Sequence, residues 1–164
     1  MSETITYRTG DATAPHGEGP RVIAHVCNDA GRWGRGIVVD ISRRWPQPEE
    51  AFRGWYRGRA GNDFGLGALQ LVQVEPELWV ANMVGQHGVR SRRAPGAPAP
   101  VRYEAIGEAL RRLGGEARRL GASVHMPRIG CGLAEGRWEL VEPLVRERLT
   151  GRGVPVTVYD LAAE

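Results

Sequence analysis

His125-Met126-Pro127-Arg128-Ile129-Gly130-Cys131-Gly132-Leu133-Ala134-Glu135-Gly136-Arg137-Trp138 is the stretch around which the chain is organised. It begins at the end of an apolar run, Ala122, Val124 and Met126. It then passes through a glycine loop and enters a segment whose apolar residues Trp138, Val141, Leu144 and Val145 fall at helical spacing. The order is strand, glycine loop, helix. Glycines at 130, 132 and 136 let the backbone take positive φ and leave its N–H groups uncovered, while the following helix offers its positive end. Such a loop suits an anion, most often a phosphate or pyrophosphate, although a sharp strand-to-helix turn needs glycines for steric reasons alone.

A second loop of the same kind tips the balance toward an anion site. Arg21-Val22-Ile23-Ala24-His25-Val26-Cys27 is nearly continuously apolar, as a buried strand of an α/β sheet is. It runs into Asn28-Asp29-Ala30-Gly31-Arg32-Trp33-Gly34-Arg35-Gly36 and then a helix from Ile37. The spacing of Gly31, Gly34 and Gly36 is neither that of the dinucleotide fingerprint nor that of the P-loop, whose lysine is also missing. Asn28 and Asp29 stand at the C-terminal end of a strand, where open α/β sheets place their ligands.

The rest of the chain fills in around these loops. Ile5 to Thr9 alternates like a first strand and stops at Gly10-Asp11-Ala12-Thr13. There Asp11 either caps a turn or accepts a hydrogen bond from an exocyclic amine such as that of adenine. Pro48 opens a second helix carrying Ala51, Phe52 and Trp55, and a polar turn covers Gly58 to Gly67. Two apolar runs, Ala68–Val74 and Leu78–Val84, flank Glu75-Pro76-Glu77, so they are antiparallel neighbours and the sheet is mixed. Residues 88 to 100 form a proline-rich loop, a lid or a merely mobile segment. Tyr103, Ile106, Leu110, Leu113, Ala117 and Leu120 then step by three and four residues toward Gly121, the clearest amphipathic helix of the chain. After the opening stretch come a helix over Trp138–Leu149 and a last strand over Val154–Leu161, with no internal repeat.

Composition narrows the function classes. At 164 residues the chain fits a single domain over 1–164. The start, Met1-Ser2-Glu3-Thr4, lacks the basic and hydrophobic regions of a signal peptide, and no run of eighteen apolar residues occurs. The expected setting is cytoplasmic, with no membrane partner. All 22 basic residues are arginine, which removes Schiff-base and other amine chemistry from the chain. A net charge of +3 favours anionic partners but lies short of a nucleic-acid footprint. Cys27 and Cys131 are too few for a disulfide framework and read as reduced thiols. His25 and Cys27 share a strand face, but His16, His87 and His125 show no ligand spacing, so no metal and no cofactor is expected.

Taken together, Gly10-Asp11, Ala24-His25 leading to Asn28-Asp29, Gly34-Arg35-Gly36-Ile37, Met126 to Leu133, and Thr157-Val158-Tyr159-Asp160-Leu161 resemble a macrodomain. The likeness is narrower still to the bacterial-like branch containing the terminal ADP-ribose protein glycohydrolase and the macrodomain of the liver-cancer-amplified remodeller. It implies a three-layer α/β/α sandwich over a mixed, mostly parallel sheet that binds ADP-ribose. By position, the resemblance implies that Asp11 accepts from the adenine amine beside Ala12, with Leu161 and Tyr159 packed on the base. Asn28 faces the distal ribose. Arg128, Ile129, Gly130, Cys131, Gly132, Leu133 and Ala134 wrap the pyrophosphate and distal ribose, opposite Gly34, Arg35, Gly36 and Ile37.

The branch's glycohydrolase uses a lysine and an aspartate where this chain has Gln86 and Ala134, and Glu135 is displaced by one residue. A lysyl adduct with the ribose is therefore ruled out. The expected activity is hydrolysis of ADP-ribose from glutamate and aspartate side chains of mono-ADP-ribosylated proteins. A water held by the bent pyrophosphate would attack, with Asn28, Gln86 and Asp29 as the catalytic candidates. His87 and Glu135 read as ordinary loop residues. The alternatives are a non-catalytic reader of ADP-ribose and a phosphatase acting on ADP-ribose 1″-phosphate. The chain is expected to act as a monomer.

Overall fold

The computed structural model describes residues 4–89 and 96–162, so the middle of the proline-rich loop, 90–95, lies outside the described residues. The strands are β1 (Thr6–Thr9), β2 (Arg21–Asn28), β3 (Leu69–Glu75), β4 (Leu78–Gln86), β5 (Ser123–Met126) and β6 (Val156–Asp160). The α-helices are α1 (Ile37–Arg44), α2 (Gln47–Arg57), α3 (Tyr103–Leu120) and α4 (Trp138–Arg148). The strands form one sheet in the order β1-β6-β5-β2-β4-β3. Every neighbouring pair is parallel except β3 with β4, which the two-residue connection Pro76-Glu77 forces to be antiparallel.

β2 shows why a continuous apolar run marks the middle of such a sheet. Val22 and Ala24 face the layer of α3 and α4, while Ile23 and Cys27 face the layer of α1 and α2. With both faces covered, neither set of positions is free to be polar. On the first side the core gathers Ile106, Leu110, Leu113, Val124, Met126 and Val145; on the second it gathers Val38, Ile41, Phe52, Trp55 and Val80. Each such side chain taken from water contributes about 1.5–3 kcal/mol. The result is a three-layer α/β/α sandwich over a mixed, mostly parallel sheet.

The helix read from three- and four-residue steps runs from Tyr103 to Leu120 and stops at Gly121, which is left-handed at φ 64. α4 continues through Pro143, whose missing N–H removes one internal bond. The turn after α2 contains a short 3₁₀ helix, Arg59–Gly61, and a second one, Thr150–Arg152, precedes β6.

The polar residues inside the sheet are mutually satisfied. His25, fully buried, donates Nε2–H to Asn82 Oδ1 at 2.5 Å. Asn82 in turn donates to Gln70 Oε1 at 3.0 Å and to the Pro48 carbonyl at 3.2 Å. This chain of bonds ties β2, β4 and β3 to the start of α2, and burial pushes the His25 pKa down to about 4, so the ring is neutral. Among the described residues no three His, Cys, Asp or Glu side chains converge as a metal site, and no helix is long and apolar enough to cross a membrane.

Candidate functional site

The loops that leave the C-terminal ends of β1, β2, β4, β5 and β6 surround one cavity of about 860 Å³. That volume lies within the roughly 300–1,000 Å³ usual for small-molecule sites. Gly10, Asp11 and Ala12 bring the β1 end to it. The Asp11 carboxylate uses Oδ1 to accept the Thr13 N–H at 2.8 Å and the Thr13 hydroxyl at 2.7 Å. Its Oδ2 faces Arg44 at 3.8 Å. One oxygen folds the turn, and the other remains for a ligand.

The loop after β2 is built from its own side chains. Asn28 Oδ1 accepts from the N–H groups of Ala30 and Arg32, at 3.1 and 2.9 Å, and Nδ2 donates to the Arg32 carbonyl at 3.0 Å. Trp33 drops into the core between His25 and Phe52, with ring centroids 5.3 and 5.4 Å away, and donates Nε1–H to Ser42 Oγ. Gly36 closes the loop at φ 79, ψ −146, a conformation that suits glycine, and starts α1 without any side-chain cap. An uncapped helix start leaves backbone donors for an anion. Asn28, Gly34, Arg35, Gly36 and Ile37 all line the cavity.

Opposite lies the loop of the opening stretch. The Gly136 N–H donates to the Gly130 carbonyl at 2.7 Å, an approach so close that a Cβ at 136 would stand 2.3 Å from that oxygen. Glu135 N–H closes onto the Gly132 carbonyl at 2.9 Å, and Val101 N–H binds the Ala134 carbonyl at 3.0 Å. Arg128, Ile129, Gly130, Gly132, Leu133 and Ala134 line the cavity. The two glycine loops meet across it, since a Cβ built on Gly36 would lie 3.9 Å from Leu133 Cδ1.

Arg128 is committed to a two-point ion pair with Asp160, at 2.8 and 3.0 Å, which holds the Asp160 carboxyl below its ordinary pKa. The Tyr159 hydroxyl accepts from the His16 N–H at 2.8 Å and donates to His125 Nδ1 at 2.7 Å. Burial, with the Arg21 charge adding to it, pushes His125 down to about 4, so its Nε2–H is available to Ser123. Tyr159 thus forms a fixed wall of the cavity, and Leu161, 76% exposed, forms its lip.

A macrodomain protein of known structure from Streptomyces coelicolor is 60% identical to the chain; the match covers 96% of this chain and 99% of that one, with a TM-score of 0.84. The chain belongs to the macrodomain family. Mouse chromodomain-helicase-DNA-binding protein 1-like is 32% identical over 96% of this macrodomain, which spans 18% of that protein's length. Human ADP-ribose glycohydrolase OARD1 is 26% identical, with 96% of this chain and 91% of that one covered. No protein-family model matches the chain.

Two positions picked from the sequence of this macrodomain stand outside the cavity lining. Asp29 turns to the segment after β4, where Oδ1 accepts the Gly88 N–H and Oδ2 meets His87 Nδ1, both at 2.7 Å. Cys131 points its thiol back at the Ile129 carbonyl, 3.3 Å away, and burial raises the thiol pKa. Gln86, nearly buried at 8% exposure, does line the cavity, and its Nε2 donates to the Gly88 carbonyl at 3.0 Å. Sequence reasoning missed Arg32, Asp40 and Val89, which also line it. Asp40 lies three residues beyond Ile37 on α1, and helical spacing alone puts the two on one face.

Proposed function

We propose that this macrodomain binds ADP-ribose in the cavity and releases it from acidic side chains of mono-ADP-ribosylated proteins without a lysine. The observation that carries the reading is the facing of two glycine loops across one cavity, one of them ending in the uncapped start of α1. That geometry suits a bent pyrophosphate held by backbone N–H groups. The match to a human protein named as an ADP-ribose glycohydrolase, over most of both chains, supports the ligand class.

With the pyrophosphate in the middle, the adenine goes to Asp11 Oδ2, Ala12, Tyr159 and Leu161, and the distal ribose to Asn28 and Gln86. Gln86 keeps Oε1 and one N–H for the ribose hydroxyls after its bond to Gly88. Asn28 acts by shaping the loop, because its amide is already bonded at both ends. Hydrolysis breaks the bond between ribose C1″ and the glutamyl oxygen. The leaving carboxylate needs little acid help, so catalysis rests on placing a water and on stabilising an oxocarbenium-like transition state.

The test is release of free ADP-ribose from a protein modified on glutamate, alongside a serine-linked substrate and an enzyme-free blank. Release from glutamate faster than the blank is the expected result. Binding of ADP-ribose without release would instead establish a reader, the reading favoured by Gln86 at the position of the branch's lysine.

A further inference from the structure

The geometry points to His87, held by Asp29, as the group that takes the proton from the attacking water. This inference rests on the hydrolase reading above and adds a base to it. When the ADP-ribose is attached to a protein, its anomeric carbon cannot lie at the closed end of the cavity. The attached macromolecule stays outside, so C1″ must sit at the opening, and the groups able to reach it are those of the rim rather than buried ones.

At the end of β4 the rim carries a histidine that already has an orienting partner. Gln86 and Val89, on either side of it in the chain, line the cavity, while the His87 side chain is 62% exposed. Asp29 is 22% exposed and fixed: its N–H donates to the Gln86 carbonyl at 2.9 Å, and its Oδ1 accepts from Gly88. Its Oδ2, 2.7 Å from His87 Nδ1, takes the Nδ1–H and leaves the lone pair on Nε2 directed outward. An oriented carboxylate–imidazole pair is the arrangement a general base requires.

The segment is held from the other side too. His87 N–H donates to the Pro100 carbonyl at 2.8 Å, and Arg102 N–H to the Gly85 carbonyl at 2.9 Å. Arg102 spends its guanidinium on the carbonyls of Ala99, Pro100 and Val101, so among the described residues the charge in contact with the imidazole is that of Asp29.

In the step itself, the water oxygen bonds to C1″ while the C1″–O bond breaks and its electron pair leaves on the glutamate carboxylate. The water proton passes to His87 Nε2 and from there to solvent. Asp29 stabilises the imidazolium that forms and is the positioning residue.

Three proteins test this, the wild type, His87→Gln and Asp29→Asn, each assayed for release from the glutamate-linked substrate across pH 5 to 8 and for affinity toward free ADP-ribose. His87→Gln should lower kcat by about 100-fold or more, the usual contribution of a general base, with affinity and melting temperature unchanged. The wild-type rate should rise with pH along a histidine limb that His87→Gln removes. Asp29→Asn retains an acceptor for Gly88 but no charge, so it should move the limb to lower pH.

Release by His87→Gln at the wild-type rate, or with the same pH limb, overturns the assignment and leaves the hydrolase reading standing. Binding without release by the wild type overturns both. Loss of release together with loss of affinity would show that His87 merely holds the loop, and also overturns the assignment.

Discussion

Asp11 illustrates how a single side chain serves the fold and a ligand together. Its Oδ1 closes the turn onto Thr13, so Asp11→Asn keeps that turn while replacing the outward oxygen with an amide that donates. A donor facing the adenine amine leaves both unsatisfied, at about 1–3 kcal/mol. Titration calorimetry should therefore show affinity for ADP-ribose falling roughly 10- to 100-fold at an unchanged melting temperature. Gly132 gives the complementary test. No atom lies within 4 Å of where its Cβ would stand, so Gly132→Glu meets no steric obstacle to folding. It places a carboxylate where the pyrophosphate should lie, and ADP-ribose binding should vanish while thermal unfolding stays as in the wild type. Retained binding would move the ligand elsewhere. Neither role was separable from the other in the sequence, because a turn-forming aspartate and a ligand-binding one are the same letter.

Among the elements, the loop after β2 depends on one anchor. Trp33 is buried between His25 and Phe52, and its indole bonds Ser42 on α1. Trp33→Ala should cost about 3–5 kcal/mol of stability in urea unfolding. It should also weaken ADP-ribose binding, because the backbone carrying Gly34 to Ile37 loses its fixed position. Trp33→Phe keeps the packing and gives up only the bond to Ser42, so it should retain affinity. An equal loss in both variants would put the weight on that bond. The elements themselves were legible where one periodicity ruled: β2 from its unbroken apolar run, α3 from its steps of three and four, and β3 with β4 from their short connection. What escaped depended on distance in the chain. Asp29 looked like a cavity residue because it follows a strand end, yet its carboxylate is drawn away by His87 and Gly88, 58 and 59 residues on. Val89 enters the lining only because the end of β4 lies beside the end of β2, a neighbourhood that local patterning does not encode.

The whole molecule carries two neutral buried imidazoles, His25 and His125, each with its pKa pushed down to about 4 chiefly by burial. In the unfolded chain both return to about 6.5 and take up protons that the folded protein refuses. Stability is therefore full above pH 6.5 and falls as pH drops toward 4, by on the order of 3 kcal/mol for each ring. Urea unfolding at a series of pH values should show free energy rising with pH between 4.5 and 6, with a slope approaching two protons; a flat profile there would mean that the rings are charged in the fold. The sheet has a different consequence for anyone who handles the protein. β1 and β6 lie side by side and run the same way, Thr6 beside Thr157 and Thr9 beside Asp160. The chain therefore enters at the base of the sheet and passes Leu161 at the lip of the cavity. A tag or reporter fused behind Leu161 would crowd the doorway through which a modified protein must present its side chain. The same tag fused ahead of β1 would hang from the opposite end, making the amino end the handle by which to immobilise the molecule.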